Sequence, residues 1–369
     1  MKMKALRWYG IHDVRTEEIE KPAPAPGEAL IRILYAGICG SDLHIYNKGM
    51  FIQNVPETMG HEFCGIVEDC SREEAADLSP GFSKGDLVIA NPMVTCGECD
   101  SCRRGDFNTC EALGFIGEVR QGCFTKYICL PEGSLIRVPK PAGTDSVPEE
   151  SFQVYMQKMA LAEPLAVAVN VCNRAGLTAG GANAENPASS GQQAASDQAA
   201  ASLAIIGAGP IGLLTAALAK QVCGIENVTV VNRSETRRHI AEQLGALALP
   251  ALPDGARFDK VVEAAGSPAT LRLALEHVRA GGQVLAVSVF EDGDCPIDAN
   301  LIVGFQITLT GCNCYTTADL ETAVALLASG RIDISSIITD IVSLDEGKAA
   351  FEKLCAKDRP AAKILFRME

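Results

Sequence analysis

The fold of this 369-residue chain is decided by one segment, Ser202-Leu203-Ala204-Ile205-Ile206-Gly207-Ala208-Gly209-Pro210-Ile211-Gly212. Its apolar start predicts a strand, and the run from Leu213 to Lys220 that follows predicts a helix. In this setting a GxGxxG pattern is typical of a pyrophosphate cradle: the glycines permit a tight turn, close approach of the ligand and close helix–strand packing. The N–H groups at the helix start favour an anion. The alternative is a glycine-rich packing turn.

The rhythm after this segment alternates strand and helix. Strands are predicted at 202–206, 227–231, 259–264, 282–288 and 306–310, with helices at 210–223 and 234–245. Such alternation is the pattern of a parallel sheet covered by helices on both faces. The fold class is therefore α/β, with a Rossmann-type doubly wound parallel sheet in this part of the chain.

The remainder of the chain has a different pattern. Residues 1 to about 155 predict a β-rich unit with short strands such as 29–35 and 65–69, and residues 156–172 predict a helix. The stretch from Gly180 to Ala201 contains small and polar residues almost alone, which predicts a mobile loop. A helix near 345–356 and a strand at 362–366 end the chain, and we expect this tail to return to the first domain.

The residues after the second predicted strand bear on the choice of dinucleotide. An acidic residue usually stands about 20 residues past the glycines and binds the ribose diol of NAD. Asn232 occupies that place here, followed by Arg233 and Ser234, with Arg237 one helical turn later. A guanidinium and a hydroxyl suit a 2′-phosphate, so we expect NADP over NAD. The alternative is that these arginines only coat the start of a helix.

Two sets of residues have the chemistry of metal ligands. Cys96, Cys99, Cys102 and Cys110 are spaced 3, 3 and 8 residues apart, which is typical of a closed, structural Zn²⁺ shell. Cys39, His61, Glu62 and Glu163 could form a mixed shell with an open position, as a catalytic zinc requires. Sequence separation alone does not show that the second set meets.

Composition excludes several functions. The formal charge of −14, from 32 basic and 46 acidic residues, argues against nucleic acid and against an anionic membrane surface. No stretch approaches the roughly 20 apolar residues of a membrane span, and the start of the chain does not read as a signal peptide. Fifteen cysteines without an export signal argue against a disulfide framework, so we expect a cytoplasmic protein.

Taken together, these residues resemble the medium-chain, zinc-containing alcohol and polyol dehydrogenase family. The resemblance rests on the ordered motifs Cys39-Gly40-Ser41-Asp42-Leu43-His44, Gly60-His61-Glu62, the four cysteines, Glu163-Pro164 and Gly207 to Gly212. It implies a GroES-like catalytic domain from residues 1–165 and 331–369, and a Rossmann domain from residues 166–330 with an insertion at about 178–201. The family also implies a small-molecule alcohol or ketone substrate and a homodimer or homotetramer.

The resemblance also implies roles for single residues. Cys39, His61 and Glu62 would ligate a catalytic zinc, with Glu163 as a fourth ligand or a nearby exchangeable carboxylate. Ser41 and His44 would pass the substrate proton through the cofactor ribose to solvent, while the alcohol gives its hydride to NAD(P). The motifs favour the sorbitol- and threonine-dehydrogenase branch, and a secondary alcohol of a small polyol-like substrate.

Three alternatives remain beside that expectation. A threonine- or butanediol-type enzyme of the same family is one, because Leu309-Thr310-Gly311 lacks an arginine that polyol enzymes often carry there. A zinc-free quinone or enoyl reductase is the second, and the zinc-ligand residues count against it. A binding protein that has lost catalysis is the third.

Overall fold

The computed structural model describes residues 1–71, 81–141, 148–177, 201–291, 293–356 and 360–368. The predicted loop from Gly180 to Ala201 therefore lies outside the described residues, except for its last position. The chain forms two compact units. The first comprises Met1–Glu163, Thr316–Ala328 and Ile338–Glu369, and the second comprises Pro164–Tyr315 and Ser329–Ile337.

The elements follow in chain order. Up to Met159 they are β1 (Lys2–Gly10), β2 (Asp13–Glu20), β3 (Glu28–Gly37), α1 (Gly40–Lys48), β4 (Glu57–Thr58), β5 (Glu62–Cys70), β6 (Leu87–Ala90), β7 (Met93–Val94), α2 (Asp100–Arg104), β8 (Gly114–Phe115), β9 (Tyr127–Pro131), β10 (Leu135–Arg137) and α3 (Glu149–Met159). From there to Gly311 they are α4 (Ala162–Arg174), β11 (Ser202–Ile206), α5 (Pro210–Gln221), β12 (Asn227–Val231), α6 (Glu235–Gln243), β13 (Leu247–Leu249), β14 (Phe258–Glu263), α7 (Pro268–His277), β15 (Val278–Ala286), α8 (Ala299–Phe305) and β16 (Thr308–Gly311). The tail adds α9 (Thr317–Ala328), β17 (Ile338–Val342), α10 (Gly347–Cys355) and β18 (Lys363–Arg367).

The second unit contains a six-stranded parallel sheet in the order β13-β12-β11-β14-β15-β16. Counted along the chain, this is strand order 3-2-1-4-5-6 of the Rossmann fold, whose order reverses between β11 and β14. Its core is aliphatic, formed by residues such as Ala204, Ile206, Val261, Leu271 and Val284. The predicted α/β class and doubly wound parallel sheet are confirmed.

The first unit is built on a seven-stranded sheet in the order β10-β6-β5-β3-β18-β17, with β9 also pairing β3. A smaller sheet, β2-β1-β4, completes this β-rich unit, and the aromatic and aliphatic core includes Trp8, Ile31, Phe63, Phe124 and Phe351. The C-terminal strand β18 pairs antiparallel with β3. The tail therefore returns to the first unit, as predicted.

The register of three strands brings distant parts of the sequence to one end of this sheet. Gly37, the last residue of β3, pairs with Glu62 at the start of β5 and with Leu365 in β18. Cys39 follows two residues after Gly37, while Lys363 precedes Leu365 by two. Because β3 runs antiparallel to both neighbours, residues 39, 61–62 and 363 meet at the same edge.

Two details differ from the sequence expectations. The stretch 156–172 was predicted as one helix, but it contains the end of α3 and most of α4. The helical conformation is interrupted at Ala160 and Leu161 between them. Helix α9 belongs to the first unit and contacts α3, although residues 166–330 were assigned to one domain. Compact units are not by themselves independent domains, so the domain ranges stay a prediction. Among the described residues, no helix is long and apolar enough to cross a membrane.

Candidate active site

Cys39, His61 and Glu62 form a compact donor group in the first unit. The thiol sulfur, an imidazole nitrogen and a carboxylate oxygen all lie within 4.8 Å of one another. His61 is 4% exposed and Glu62 is fully buried, while Cys39 is partly exposed. Sulfur, nitrogen and oxygen donors in one buried group are the donor set of a catalytic Zn²⁺ site. The structure thus brings together three of the four residues predicted for that site.

The start of helix α1 positions Cys39. Cys39 is the N-cap residue, and its backbone N–H donates to Asp42 Oδ2 at 2.8 Å. The helix ends at Gly49, which adopts a left-handed conformation and donates its N–H to the Ile45 carbonyl. Burial and the charge of Glu62 raise the pKa of the Cys39 thiol, while the charge of His61 and the helix N-terminus act in the opposite direction.

His61 is buried with one ring nitrogen unsatisfied. Within the described part of the chain, no hydrogen-bond partner reaches His61 Nδ1, and the ring of Phe115 packs against the imidazole at 5.6 Å between centroids. Burial acts to lower the pKa of His61, but the negative charges of Cys39, Asp42 and Glu163 outweigh it and raise that pKa well above its usual range. The surroundings of His61 thus favour a positive charge, and the residues fit a bound metal cation.

Glu163 lies at the start of α4 and does not join the three ligand atoms. It is 7% exposed, and it acts electrostatically on both His61 and Lys363. This position agrees with a nearby carboxylate. Two further acids, Asp42 and Glu118, lie near the group. Burial raises the pKa of each, and the charge of His61 acts to lower it.

Lys363 is a residue of this site that the sequence did not reveal. Its ammonium group donates to both carboxylate oxygens of Glu62, at 2.6 and 2.8 Å, and to the carbonyl of Ile38 at 2.9 Å. Both side chains of the ion pair are buried, at 1% and 0% exposure. Burial acts to lower the pKa of Lys363, but the Glu62 carboxylate raises that pKa above its usual value.

The two predicted relay residues lie one helical turn apart on α1. Ser41 and His44 are separated by three positions, which places them on the same helix face. Ser41 Oγ is buried, and no partner for it occurs among the residues that the structure describes. The imidazole of His44 packs edge-on against Phe51 at 6.4 Å between ring centroids. A hydroxyl and an imidazole on one helix face are the two groups that the predicted proton relay requires.

The four cysteines form a second donor group. Cys96, Cys99, Cys102 and Cys110 present sulfur atoms within 4.8 Å of one another. Two of these separations are 3.6 Å (Cys96–Cys110) and 3.9 Å (Cys96–Cys102), close to the roughly 3.8 Å that a tetrahedron with Zn–S bonds of about 2.3 Å requires. The N–H groups of Cys102 and Glu111 lower the pKa of Cys99 to about 6. The geometry fits a closed zinc shell.

The glycine-rich turn lies at the switch point of the parallel sheet. Gly207 follows β11 with φ of 111°, and a Cβ there would lie 2.5 Å from the carbonyl oxygen of Ala264, which follows β14. A Cβ on Gly212 would lie 2.0 Å from the oxygen of Gly207, whereas one on Gly209 would meet nothing within 4 Å. Two glycines thus serve close packing, and the third borders open space at the N-terminus of α5, where a pyrophosphate fits.

Glu263, at the end of β14, shapes the neighbouring turn and was also missed. Its Oε1 accepts the N–H groups of Ala265 (2.9 Å) and Gly266 (2.8 Å) and the hydroxyl of Thr270 (2.8 Å). The side chain is fully buried. It therefore fixes the loop that packs on Gly207.

The residues predicted to select the dinucleotide occupy the turn between β12 and α6. Asn232 Oδ1 accepts the N–H of Ser234 at 2.9 Å, and Ser234 caps α6 by accepting from the Arg237 N–H. Arg233 is exposed, whereas Arg237 is 5% exposed. Arg238 is bound to the carbonyls of residues 232 and 233, at 2.9 and 2.8 Å. Arg233 is the guanidinium of this turn that faces solvent.

Comparison with known proteins agrees with both units. Residues 25–140 match the alcohol dehydrogenase GroES-like domain, and residues 210–329 match the zinc-binding dehydrogenase domain. The L-threonine 3-dehydrogenase of Pyrococcus furiosus is 31% identical, covering 100% of this chain and 98% of its own. The sorbitol dehydrogenase of Bacillus subtilis is 28% identical, with coverage of 98% and 96%. A crystal structure of a zinc-binding dehydrogenase from Sinorhizobium meliloti, bound to NADP, is 28% identical with a TM-score of 0.81, covering 100% and 99%.

A GroES-like unit with a zinc-type donor group and a Rossmann unit with a pyrophosphate cradle define the class of zinc- and nicotinamide-dependent dehydrogenases. The chain belongs to the medium-chain zinc-dependent alcohol and polyol dehydrogenase family. It is an NAD(P)-dependent dehydrogenase that oxidises secondary alcohols. The family predicted from the sequence motifs is confirmed.

Proposed function

We propose that the protein oxidises a secondary alcohol of a small, uncharged, polyol-like substrate reversibly to a ketone, with NADP as the hydride acceptor. The observation that carries the substrate class is the charge around His61. Four carboxyl groups, those of Asp42, Glu62, Glu118 and Glu163, lie around the donor group that contains His61. Lys363 is already paired with Glu62. Among these groups no cation is left to pair with a phosphate or carboxylate of a substrate, which favours a neutral substrate.

Zinc fits two places in this proposal. Cys39, His61 and Glu62 would hold the catalytic ion, with Glu163 as a fourth ligand or a nearby exchangeable carboxylate. Cys96, Cys99, Cys102 and Cys110 would hold a structural ion. When bound, the catalytic zinc supplies Lewis acidity that favours loss of the hydroxyl proton of the substrate. Ser41 would accept that proton as it gives up its own through the cofactor ribose to His44, which would pass a proton on to solvent. Residues 1–165 with 331–369 would be the catalytic domain, and 166–330 the dinucleotide-binding domain.

The substrate class is tested with a panel of alcohols scored by NADPH and NADH formation. We expect neutral polyols and diols to be oxidised with a higher kcat/KM than their phosphorylated or carboxylated counterparts. Glu118→Gln removes one negative charge outside the ligand set and should narrow that difference by roughly tenfold. Equal or better turnover of the anionic substrates by the wild-type protein would contradict the proposal.

A second candidate is an amino alcohol of the threonine type. The relative from Pyrococcus furiosus has this activity in its name, and the buried carboxyl of Glu118 could accept an ammonium group. Amino alcohols therefore belong in the same panel. A preference for them that Glu118→Gln abolishes would establish this candidate over the neutral polyol.

The preference for NADP rests on the turn after β12. Gly207, Gly209, Pro210, Ile211 and Gly212 would bind the pyrophosphate, while Asn232, Arg233, Ser234 and Arg237 would surround the 2′-phosphate. Asn232→Asp restores a carboxylate beside that phosphate, so kcat/KM with NADP should fall by roughly tenfold or more and that with NAD should rise. Arg233→Gln is the control, which should weaken NADP without improving NAD. Equal turnover of wild type with both dinucleotides would contradict the preference.

We also propose a homodimer or homotetramer in the cytoplasm. Strand β16 is the outer strand of the six-stranded sheet, and its neighbours Val303 and Phe305 are 77% and 52% exposed. An edge strand beside exposed apolar side chains is a suitable surface for a second copy. No disulfide bond joins the cysteines that the structure describes, which agrees with a reducing compartment. Light scattering of the purified protein tests the oligomeric state.

A further inference from the structure

A groove of about 600 Å³ lies at the amino ends of the strands of the six-stranded parallel sheet. We call it the amino-edge groove; it is lined by residues near the starts of β14, β15 and β16, among them Lys260, Arg279 and Thr308. The glycine-rich turn follows the carboxyl end of β11, at the opposite edge of the sheet, and the five residues of β11 separate the two edges by roughly 16 Å. The groove is therefore distinct from the pyrophosphate cradle, and its volume is that of a small-molecule pocket.

Two cations and one carboxylate line the groove. The carboxylate, Asp259, is fully engaged: Oδ2 accepts the hydroxyl (2.6 Å) and the N–H (2.8 Å) of Ser202, and Oδ1 accepts Arg279 Nε (2.6 Å). Burial acts to raise the pKa of Asp259, but these hydrogen bonds lower it to about 2. Asp259 thus stays charged and compensates one cation only. The lining keeps one positive charge in excess, although the whole chain carries a formal charge of −14.

Lys260 is the cation without a carboxylate partner. Its side chain is half-buried, and among the described residues no carboxylate lies within ion-pair distance of its ammonium group. The ammonium donates to Gln283 Oε1 at 3.3 Å, and the amide of Gln283 is held by the Arg174 carbonyl and the Thr310 hydroxyl, both at 3.0 Å. Burial lowers the pKa of Lys260, Asp259 acts to raise it, and Arg279 lowers it further. A half-buried ammonium with one neutral partner has donors left for an anion.

Arg279 stands on a bulge of β15. Residues 279–282 of β15 lie opposite Asp259 alone, and a Cβ on Gly282 would lie 2.8 Å from the Asp259 carbonyl oxygen, so the bulge packs tightly on β14. Arg279 uses Nε for Asp259 and Nη1 for the carbonyl of Ala280, at 2.8 Å. Within the part of the chain that the structure describes, no partner binds its Nη2. The guanidinium is therefore fixed in place and still has N–H donors to offer.

We propose that the amino-edge groove binds the phosphate group of a small molecule, with Lys260 and Arg279 as its donors. A phosphate presents several charged acceptor oxygens, and an ammonium together with a guanidinium satisfies them from two directions. The groove is larger than a phosphate group alone, so it also has room for the organic part of a phosphate ester. The site is independent of the proposed function, because none of its residues belongs to the two donor groups or to the glycine-rich turn.

Isothermal titration calorimetry on the full-length protein tests this site. Saturating reduced dinucleotide fills the pyrophosphate cradle and prevents oxidation of the probes, which are inorganic phosphate and glycerol 3-phosphate, with glycerol as the neutral control. We expect one phosphate-bearing molecule to bind per chain and glycerol not to bind. Tighter binding of glycerol 3-phosphate identifies a phosphate ester as the occupant, and equal or tighter binding of inorganic phosphate identifies the free ion. Either result supports the phosphate site, whereas binding of neither probe would overturn it.

Single substitutions assign the binding to the groove. Lys260→Gln and Arg279→Gln should each weaken the affinity about tenfold or more, because each removes a charge-assisted hydrogen bond to the phosphate. Lys348→Gln makes the same change of charge at an exposed lysine of the first unit and should keep wild-type affinity. Equal affinities of all three variants would show that the probe does not bind in the groove.

A second measurement needs no variant and applies even if the two groove variants do not fold. Acetic anhydride acetylates lysines of the wild-type protein, and mass spectrometry quantifies the product at each position. Saturating glycerol 3-phosphate should slow acetylation of Lys260 and leave that of Lys348 unchanged, since a bound phosphate occupies the ammonium group. Acetylation of Lys260 at the same rate with and without the probe would contradict the site.

Discussion

The two donor groups of the first unit are built in opposite ways. The four-cysteine group comes from 15 consecutive residues, uses sulfur alone, and has sulfurs close to the spacing of a closed tetrahedron. The group around His61 is assembled by strand register from residues far apart in the chain, and it mixes three kinds of donor atom. A shell closed by four protein donors has no position for a substrate, whereas a group of three donors leaves one open. The first arrangement suits structure and the second suits catalysis.

Cys39→Ser should have the largest effect on catalysis. Loss of the thiolate removes the only sulfur donor of the proposed catalytic shell, so kcat/KM should fall by more than about 100-fold. Thermal unfolding should change little, because serine keeps the backbone hydrogen bond from position 39 to Asp42 that caps α1. Cys355→Ser, an exposed cysteine outside both donor groups, is the matched control and should keep wild-type activity. Unchanged turnover of the Cys39→Ser protein would contradict the assignment.

Ser41→Ala separates proton transfer from metal binding in the catalytic region. The variant keeps the donor group but loses the hydroxyl that accepts the substrate proton, so kcat should fall by about 100-fold. Ser101→Ala makes the same chemical change in helix α2, beside the four cysteines, and should leave kcat unchanged. Equal effects of the two substitutions would show that Ser41 has no part in proton transfer.

Cys99→Ser has the smallest expected effect on turnover. Part of the binding free energy of a structural zinc should be lost, which lowers Tm by roughly 5 °C or more in a unit of this size. Freshly prepared protein should retain its kcat to within about tenfold, because Cys39, His61 and Glu62 are held by other residues, namely Asp42, Phe115 and Lys363. The measurements are calorimetry and steady-state kinetics on one preparation. A Cys99→Ser protein with the Tm of wild type would argue against a metal in the four-cysteine group.

The sequence predicted those features that are encoded locally. The cysteine spacing, the strand–glycine–helix segment and the alternation after Ser202 each occupy a short stretch, and the structure shows the corresponding sulfur cluster, cradle and parallel sheet. The break at Ala160 between α3 and α4 was missed, because two apolar helices in succession show the same pattern as one. Pro164, in the first turn of α4, was the available signal for a helix start there.

The features that were missed depend on tertiary contacts. Lys363 stands 301 positions after Glu62 and, in Ala362-Lys363-Ile364-Leu365-Phe366, looks like an ordinary lysine at the start of a strand. Glu118 and Glu263 are likewise single acids in unremarkable surroundings. The one available signal was a charged residue at the edge of an apolar C-terminal strand that was already expected to return to the first domain.

Zinc content per chain, measured by elemental analysis on wild type, Cys39→Ser and Cys99→Ser, tests the central claim most directly. We expect two zinc ions per chain in active wild type and one in each variant. Activity should be lost in Cys39→Ser and largely kept in freshly prepared Cys99→Ser. One zinc ion in fully active wild type, with the same content in Cys39→Ser, would contradict the division into a structural and a catalytic site.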